Sequence, residues 1–362
     1  MILVCPTAFK GTLSATAVAE ALAEGAREAS PTAIETLPLS DGGNGLLDAV
    51  QSALGGRRLE VRVSGPLGEP VRAAWLDTGA LRVVETAEAN GLHHVPSDRR
   101  DPLRTSTFGV GELLRAAEGA PGDPAPLVVG LGGSATVDAG AGMARALGWR
   151  LLDARGEPIV AGGLGLETLA AIEPPDEPQV RPPLVLADVT NPLLGPAGAA
   201  PVFAPQKGAS PREVERLARG LERWARVVER DLGRDVAMIE AGGAAGGLGA
   251  AFAALLDAPP VRGASWVLAA AGFDARLARA DVVVTGEGGW DAQSSMGKVV
   301  GEVVERARAK GVPVLLVAGS IEGDLPPGVV GLAGGARSVD EAGLARLARD
   351  GLRALLRHGG DP

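Results

Sequence analysis

The sequence predicts an α/β protein in which both chain ends build a Rossmann-like, parallel-sheet domain and a mixed α/β domain is inserted between them. Three observations indicate this architecture. Residues 1–40 and 280–320 each alternate apolar strands with helices, which favours a parallel sheet covered by helices. Residues 59–85 instead alternate apolar with polar residues between turns, as in an antiparallel meander. At 362 residues, the chain also exceeds one typical domain.

Strand and helix alternate from the start of the chain. Residues 2–5 form a short apolar strand, and Ser14 can cap a helix that reaches about Ala29, since its apolar residues recur at helical spacing. Residues 34–39 form a second strand, which Asp41 and two glycines end. This order is typical of a parallel βαβ unit.

The rest of the chain repeats both patterns. A meander of three strands enters the inserted domain, and a proline-rich connector over residues 173–183 separates two further α/β stretches. A charged helix over residues 211–228 carries one apolar stripe, which indicates a packing face. The remaining predicted elements are strands 59–63, 71–75, 81–84, 281–285 and 312–318, α/β stretches 127–152 and 184–194, and a helix over 297–309.

These elements predict two domains, one of them discontinuous. Residues 1–58 and 278–362 are assigned to the Rossmann-like domain, and residues 59–277 to the inserted domain. Ligands of open α/β sheets bind beyond the carboxyl ends of the strands. We therefore expect functional residues on loops that follow strands, and an active site in the cleft between the two domains.

Composition and charge exclude several classes of function. The net charge of −9 is unsuited to nucleic acid, whose binding depends on neutralising phosphates with a basic surface. No apolar run reaches the roughly 20 residues of a membrane span, and the N-terminus lacks a charged signal-peptide region. We expect a cytoplasmic protein that binds no membrane. One cysteine, Cys5, and three scattered histidines give neither a disulfide nor zinc-ligand spacing.

Lysine is rare in this chain, which makes its positions informative. Four of the 35 basic residues are lysines. Lys10, Lys207 and Lys298 each lie beside a glycine in a polar stretch, where an ammonium can approach a phosphate as a point charge. Lys310 ends a charged helix, where a cation complements the helix dipole. The first three are candidates for binding an anionic ligand.

The strongest local motif is a glycine turn that follows an apolar strand. Gly132 and Gly133 allow backbone amides to approach a phosphate closely. Ser134 and Thr136 add hydroxyl donors, and the predicted helix that follows contributes partial positive charge at its N-terminus. The turn is therefore predicted to bind phosphate groups.

The glycine-rich sequences admit other interpretations. Residues 130–135 also fit the dinucleotide fingerprint GxGxxA, with Asp153 at the spacing of a ribose-binding acid, so a nicotinamide-dependent dehydrogenase is a rival enzyme class. Against it, Asp138 would compete with a pyrophosphate for the same amides. A turn that merely allows tight packing is a third interpretation. A second glycine-rich stretch, residues 242–249, is either an anion-binding nest or a hinge.

Acidic residues follow two other predicted strands. Glu287 and Asp291 follow the strand at residues 281–285, and Mg²⁺ prefers one or two carboxylates together with phosphate oxygens and water. Asp188 ends another apolar strand, where an aspartate can take a proton from a substrate hydroxyl or hold a metal. Asp291 is equally compatible with a helix N-cap, and Asp188 with an Asx-turn before Pro192.

Taken in order, seven motifs resemble the bacterial glycerate kinase family, the two-domain α/β type. They are AFKGTLSA at 8–15, SDGG at 40–43, GLGGSAT at 130–136, DVTNPL at 188–193, PQKG at 205–208, GGLG at 246–249 and TGEG at 285–288. The resemblance covers nearly the whole chain and implies glycerate and ATP as substrates, Mg²⁺ as the metal and 2-phosphoglycerate as the product. Thr7, Asn44, Val137 and Gly289 differ from the family pattern, so the hydroxy acid and the phosphorylated carbon stay open.

The resemblance also implies roles for these residues. Asp188 would take the proton of the glycerate hydroxyl, while Lys10 or Lys207 would neutralise the transferred phosphoryl group or the substrate carboxylate. These three are the catalytic candidates. The other candidates are Gly132, Gly133, Ser134, Thr136 and Lys298 for ATP, Ser14, Asn191 and Gln206 for glycerate, and Asp41, Glu287 and Asp291 for Mg²⁺.

Two other function classes stand beside the kinase. A dehydrogenase predicts that a nicotinamide cofactor stabilises the protein and that ATP does not. A non-catalytic sensor of the same fold predicts binding of a hydroxy acid without release of ADP. The sequence leaves the oligomeric state open, with a homodimer as one arrangement.

Overall fold

A computed structural model of the chain describes residues 1–9, 11–122, 124–291, 298–335 and 340–358. The strands are Ile2–Val4 (β1), Ile34–Thr36 (β2), Arg57–Ser64 (β3), Pro70–Asp77 (β4), Arg82–Glu85 (β5), Leu127–Leu131 (β6), Arg150–Asp153 (β7), Leu169–Glu173 (β8), Leu184–Ala187 (β9), Val261–Arg262 (β10), Val282–Trp290 (β11), Val314–Ile321 (β12) and Val329–Ala333 (β13). The helices are Ala15–Ala29 (α1), Leu46–Leu54 (α2), Ala87–Asn90 (α3), Phe108–Glu118 (α4), Ala141–Ala146 (α5), Ala199–Phe203 (α6), Pro211–Leu232 (α7), Ala244–Leu256 (α8), Gly263–Ala270 (α9), Phe273–Leu277 (α10), Val299–Ala309 (α11) and Glu341–His358 (α12). No helix within the described ranges is long and apolar enough to cross a membrane.

The chain divides into two compact units. The terminal unit comprises Met1–Asp41, Asp48–Gly55 and the chain from Gly263 onward; the inserted unit comprises Gly42–Leu47 and Gly56–Arg262. The predicted boundary after residue 277 lies later than this division, because α9 packs against α11 within the terminal unit. The inclusion of residues 42–47 in the inserted unit is not visible in the sequence pattern.

The terminal unit contains one parallel sheet built from both ends of the chain. Its strand order is β13-β12-β11-β1-β2, and Ile2 of β1 pairs with Ile34 of β2 on one side and with Val282 of β11 on the other. The helices α1 and α12 pack on each other beside this sheet, and Leu22 and Leu352 are buried between them and the strands. The predicted Rossmann-like sheet is confirmed. Ser14 caps α1 as predicted, because its Oγ accepts a hydrogen bond from the Ala17 backbone N–H.

The inserted unit contains a mixed sheet, as predicted. Its order is β10-β9-β6-β5-β4-β3, in which β3, β4 and β5 form the antiparallel meander and β5, β6, β9 and β10 run parallel. The strands β7 and β8 form a separate antiparallel pair. The apolar stripe of α7 packs into the core, where Trp224 is fully buried. A capping box between Ser210 and Glu213 fixes the start of this helix.

Candidate active site

The candidate site of the inserted unit lies at the carboxyl edge of its parallel strands. The strands β6 and β9 are neighbours, and Leu131 at the end of one pairs with Ala187 at the end of the other. The chain continues from these two strand ends into the glycine turn at residues 132–133 and into Asp188. Two sequence motifs separated by more than fifty residues therefore leave the sheet side by side.

Residues 43 and 44 lie against the glycine turn. A Cβ on Gly132 would be 3.1 Å from the backbone nitrogen of Asn44, and a Cβ on Gly133, whose φ is +55°, would be 2.5 Å from Asn44 Oδ1. A Cβ on Gly43 would be 3.8 Å from Cγ of Asp188. Gly132 thus packs closely on backbone, whereas Gly133 packs on the Asn44 side chain and has a left-handed φ that favours glycine. The sequence showed Asn44 as a departure from the family pattern, and no sequence signal indicated this contact.

Glu85 holds the segment that carries Asn44. The carboxylate ends β5 and is largely buried. Its Oε1 accepts a hydrogen bond of 2.7 Å from the Leu47 backbone N–H, and its Oε2 accepts one of 3.2 Å from Gly45. These donors lie at the start of α2, so the Glu85 carboxylate, which belongs to β5, caps this helix. Sequence reasoning missed Glu85, although an acid at the end of an apolar strand was the available signal.

The structure brings three of the predicted site residues together in the interior: Ser134 and Thr136, which follow the glycine turn, and Lys207. The ammonium of Lys207, which is 3% exposed, donates hydrogen bonds to Ser134 Oγ at 2.9 Å and to the Thr136 carbonyl oxygen at 2.7 Å. The Thr136 hydroxyl accepts a hydrogen bond from Asn90 Nδ2 at 3.1 Å. Burial lowers the pKa of Lys207 to about 7, and the charge of Asp138 opposes this shift.

The helix predicted directly after the glycine turn begins later than expected. Residues 137–140 intervene, and α5 starts at Ala141 and contains six residues. The buried carboxylate of Asp138 accepts hydrogen bonds from the backbone N–H groups of Thr107, Gly140 and Gly142. Burial raises the pKa of Asp138. This carboxylate occupies the start of α5, so the helix dipole does not act directly on the glycine turn.

The other predicted residues of the inserted unit lie on the loops after β9. The carboxylate of Asp188 is exposed at the strand end. Asn191 is half-buried, and its Nδ2 donates a hydrogen bond of 2.8 Å to the carbonyl oxygen of Ala197. Gln206 is exposed in the short 3₁₀ helix Pro205–Lys207. Asp188 is therefore accessible to a ligand at the same edge as the glycine turn.

The terminal unit carries the remaining predicted residues. Oδ1 of Asp41 accepts a hydrogen bond of 2.6 Å from the Val299 backbone N–H at the start of α11, and Lys298 precedes this helix. Glu287 is 7% exposed within β11, and Asp291 follows the strand. Across the described ranges, no group of three or more His, Cys, Asp or Glu residues is arranged to hold a metal ion. Lys10 and Gly297 lie outside the described residues.

The sheet of the terminal unit has a topological switch point between β1 and β11. From β1 the chain continues to β2 on one side, and from β11 it continues to β12 on the other. Ligands of open α/β sheets bind at such a point, beyond the carboxyl ends of the strands. Thr7 and Glu287 lie there: the Thr7 backbone N–H donates a hydrogen bond of 2.9 Å to Gly286, the residue before Glu287. Local sequence patterns do not reveal strand order, so this feature was not predicted.

The dinucleotide fingerprint and the open nest or hinge find no support, whereas the close packing of Gly132 and Gly133 against Asn44 agrees with the packing interpretation. Asp153 ends β7 in the separate antiparallel pair, where its carboxylate accepts hydrogen bonds from the backbone N–H groups of Arg155 and Glu157. A ribose-binding acid would instead end a strand of the parallel sheet. Residues 242–249 form neither an open nest nor an exposed hinge. Gly246 is buried, and the Gly243 N–H donates to the carbonyl oxygen of Asn191 at 2.9 Å.

Comparisons with known proteins agree with the motif order. A model of the glycerate kinase family matches residues 2–332. The glycerate kinase of Halalkalibacterium halodurans is 44% identical over 331 residues, which cover 88% of this chain and 85% of that protein. The glycerate 2-kinase of Escherichia coli is 41% identical over 331 residues, which cover 90% of this chain and 86% of that protein. A crystal structure described as a candidate glycerate kinase 2 from Salmonella typhimurium LT2 superposes with a TM-score of 0.82 and 41% identity, covering 99% of this chain and 98% of that one.

Proposed function

The chain belongs to the glycerate kinase family, and we propose that it transfers a phosphoryl group from ATP, with Mg²⁺, to the C2 hydroxyl of D-glycerate, giving 2-phosphoglycerate. The relative named a glycerate 2-kinase supports transfer to C2. Within the inserted unit, the observation that carries the proposal is the shared carboxyl edge of β6 and β9. It places Asp188 near Gly43, and the neighbouring turn at residues 132–133 lies against Gly43 and Asn44.

Asp188 is proposed as the group that takes the proton of the attacking hydroxyl. A general base must be within hydrogen-bond reach of that proton, and an exposed carboxylate at the end of a parallel strand has this access. In phosphoryl transfer, positioning of the nucleophile and stabilisation of charge supply most of the catalysis. Asp188 would therefore orient the C2 hydroxyl as well as accept its proton.

Gly132 and Gly133 are proposed to receive the phosphate groups through their backbone. The absence of side chains allows a close approach, as it does in other phosphate-binding loops. The hydroxyl oxygens of Ser134 and Thr136, which were predicted as phosphate contacts, accept hydrogen bonds from Lys207 and Asn90 in the interior. Their proposed contribution is to the conformation of the turn.

The carboxylates of the terminal unit fit the requirements of Mg²⁺. Mg²⁺ takes one or two carboxylates and completes its shell with phosphate oxygens and water, so a cluster of three protein ligands is not needed. Glu287 lies within β11 near the switch point. Asp41 keeps acceptor capacity beyond its hydrogen bond from Val299, since a carboxylate offers about four lone-pair sites. Asp41 and Glu287 would hold the ion, which neutralises charge on phosphate oxygens when bound.

Release of ADP from purified protein with Mg-ATP, with and without D-glycerate, tests the proposal. We expect glycerate-dependent release, and we expect NMR of the product to show the phosphate on C2. Phosphate on C3 would overturn the assignment of the carbon. A thermal shift with a nicotinamide cofactor and none with ATP would overturn the kinase.

Asp188→Asn tests the role of the base. General-base catalysis contributes about 10²- to 10⁴-fold, so kcat should fall by at least about 100-fold while the variant stays folded. Asp257→Asn is the matched control, because Asp257 is exposed and asparagine tolerates its φ of 54°. Turnover of Asp188→Asn within about threefold of the parent would remove Asp188 from the mechanism. Lys10→Ala, at a position outside the described residues, is judged by the same threshold.

A further inference from the structure

We propose that Lys207 is a positioning residue: it acts on the reaction by holding the glycine turn through Ser134 and Thr136, and it does not touch the transferred phosphoryl group. The inference deepens the proposed function and rests on it, because it explains how the phosphate-binding turn keeps its shape. It replaces the direct role that the sequence suggested for this lysine.

The placement of Lys207 carries the inference. It ends the 3₁₀ helix Pro205–Lys207, and Gly208 follows with a φ of 101°. The side chain is 3% exposed, and its ammonium bonds Ser134 Oγ at 2.9 Å and the Thr136 carbonyl oxygen at 2.7 Å. These two acceptors belong to the residues that directly follow the turn at 132–133. The two hydrogen bonds to the turn therefore account for the position of the Lys207 amine without a bound phosphate.

Thr136 is held from three sides. Lys207 donates to its carbonyl oxygen, and Asn90, which is 1% exposed, donates to its hydroxyl. On a third side, Gly246 packs so closely that a Cβ there would be 2.8 Å from the Thr136 carbonyl carbon and closer still to the oxygen. Ala139 and Ala245 beside these contacts adopt left-handed φ values of 46° and 51°. Such strain, about 1 to 2 kcal/mol for each residue, persists only where the surroundings over-determine the conformation.

The cost of burying Lys207 also indicates a specific role. In the part of the chain that the structure describes, no carboxylate forms an ion pair with Lys207 within 4 Å; Asp138 acts on it at longer range. A buried cation without a close partner is unfavourable, and an apolar side chain of similar length would cost less. The hydrogen bonds that Lys207 donates to Ser134 and Thr136 offset part of this cost of burial.

The hydrogen bonds do not require the positive charge. A neutral amine has two N–H donors, and the structure gives Lys207 two acceptors. Because burial lowers the pKa of Lys207 to about 7, the neutral form is well populated near neutral pH. If Lys207 positions the turn, its contribution to activity should persist above pH 7. If it neutralises phosphate directly, that contribution should be lost when the amine loses its proton.

Substitution of Lys207 by Met, Gln and Arg separates the two roles. Met keeps the length without donors, Gln keeps N–H donors without charge, and Arg keeps the charge. We expect Lys207→Met to lower kcat/KM for ATP by about 100-fold, the loss that follows a displacement of about 1 Å in a catalytic group. We expect kcat/KM for ATP to be at least tenfold higher in Lys207→Gln than in Lys207→Met. Lys310→Met is the control, since Lys310 is an exposed lysine at the end of α11.

Two further measurements make the test decisive. In a double-mutant cycle, Ser134→Ala combined with Lys207→Met should be no worse than Lys207→Met alone, because one acts through the other. The ratio of wild-type to Lys207→Met kcat/KM should be the same within threefold at pH 6.5 and 8.5. The proposal would be overturned if Lys207→Arg kept the activity that Lys207→Gln lost, or if the losses from Ser134→Ala and Lys207→Met were additive. It would also be overturned if Lys207→Met lost activity at pH 6.5 and not at pH 8.5.

Hydrogen exchange without substrate distinguishes failure of the inference from failure of the proposed function. Lys207→Met should speed exchange of the amides of residues 133–136 by at least tenfold, with no change in the variant of Lys310. This readout also serves if Lys207→Met is unstable, because Ser134→Ala removes one of the two bonds and should raise exchange in the same residues. Unchanged exchange in both variants would refute positioning, whether or not wild type releases ADP with glycerate.

Discussion

Gly246→Ala perturbs the contact between two segments of the inserted unit that are far apart in sequence. Gly246 lies in a kink of α8 with a φ of +75°, and a Cβ there would be 2.8 Å from the Thr136 carbonyl carbon and 2.9 Å from Val137 Cα. Both neighbours are backbone atoms, which cannot rotate away as a flexible side chain would. The substitution must therefore move Thr136 or α8.

Two costs combine in this substitution. An alanine with left-handed φ costs about 1 to 2 kcal/mol relative to glycine. Overpacking against fixed backbone costs about 1 to 3 kcal/mol more. We expect Gly246→Ala to lower the free energy of unfolding by about 2 to 5 kcal/mol. Displacement of the Thr136 carbonyl also strains its 2.7 Å bond to Lys207, so kcat/KM for ATP should fall.

Gly233→Ala is the matched control. Gly233 ends α7 with a φ of +68°, and no described atom lies within 4 Å of a Cβ placed there. This variant incurs the conformational cost alone, about 1 to 2 kcal/mol, without a clash. Urea unfolding followed by circular dichroism gives both values. Equal losses of stability in the two variants would refute the packing argument, as would an unchanged kcat/KM in Gly246→Ala.

Three further predictions follow from single contacts. Glu85→Ala removes two charge-assisted hydrogen bonds from the start of α2 and should cost about 2 to 3 kcal/mol in urea unfolding; a loss below about 0.5 kcal/mol would contradict the capping role. Between pH 7 and 10.5 the folded state binds less proton at Lys207 than the unfolded state, so the free energy of unfolding of wild type relative to Lys207→Met should rise by about 2 kcal/mol from pH 7 to 9. A rise on acidification instead would reverse the assigned pKa direction. Ser14→Ala should cost about 1 kcal/mol through the lost cap of α1 and leave KM for glycerate within twofold, whereas a larger rise in KM would assign Ser14 to the substrate.

The architecture was largely predictable from the sequence. Apolar periodicity and turn residues are local properties, so the alternation of strand and helix at both chain ends predicted the parallel sheet that Ile2 now joins to Ile34 and Val282. The alternation over residues 59–85 likewise predicted the antiparallel meander. The order of seven motifs identified the family, which the comparisons confirm.

Positions within the site were less predictable, because they depend on burial. Lys207 and Lys298 look alike in sequence, since each lies beside a glycine in a polar stretch. The structure buries Lys207 under the glycine turn and leaves Lys298 partly exposed before α11. Likewise, the sequence presents Ser134 and Thr136 as hydroxyl donors for phosphate, but both residues are buried, and their hydroxyl oxygens accept hydrogen bonds from Lys207 and Asn90. Whether a polar group meets a ligand or the protein depends on the residues packed around it, which come from distant segments.

The sequence by itself determined the fold class, the family and the candidate functional motifs, because each depends on residues close together along the chain. Tertiary structure alone decided which motifs meet. The pairing of Leu131 with Ala187 places Asp188 beside the glycine turn, and Glu85 holds Asn44 against it. Strand order and register depend on the packing of the whole core, so no local pattern specifies them.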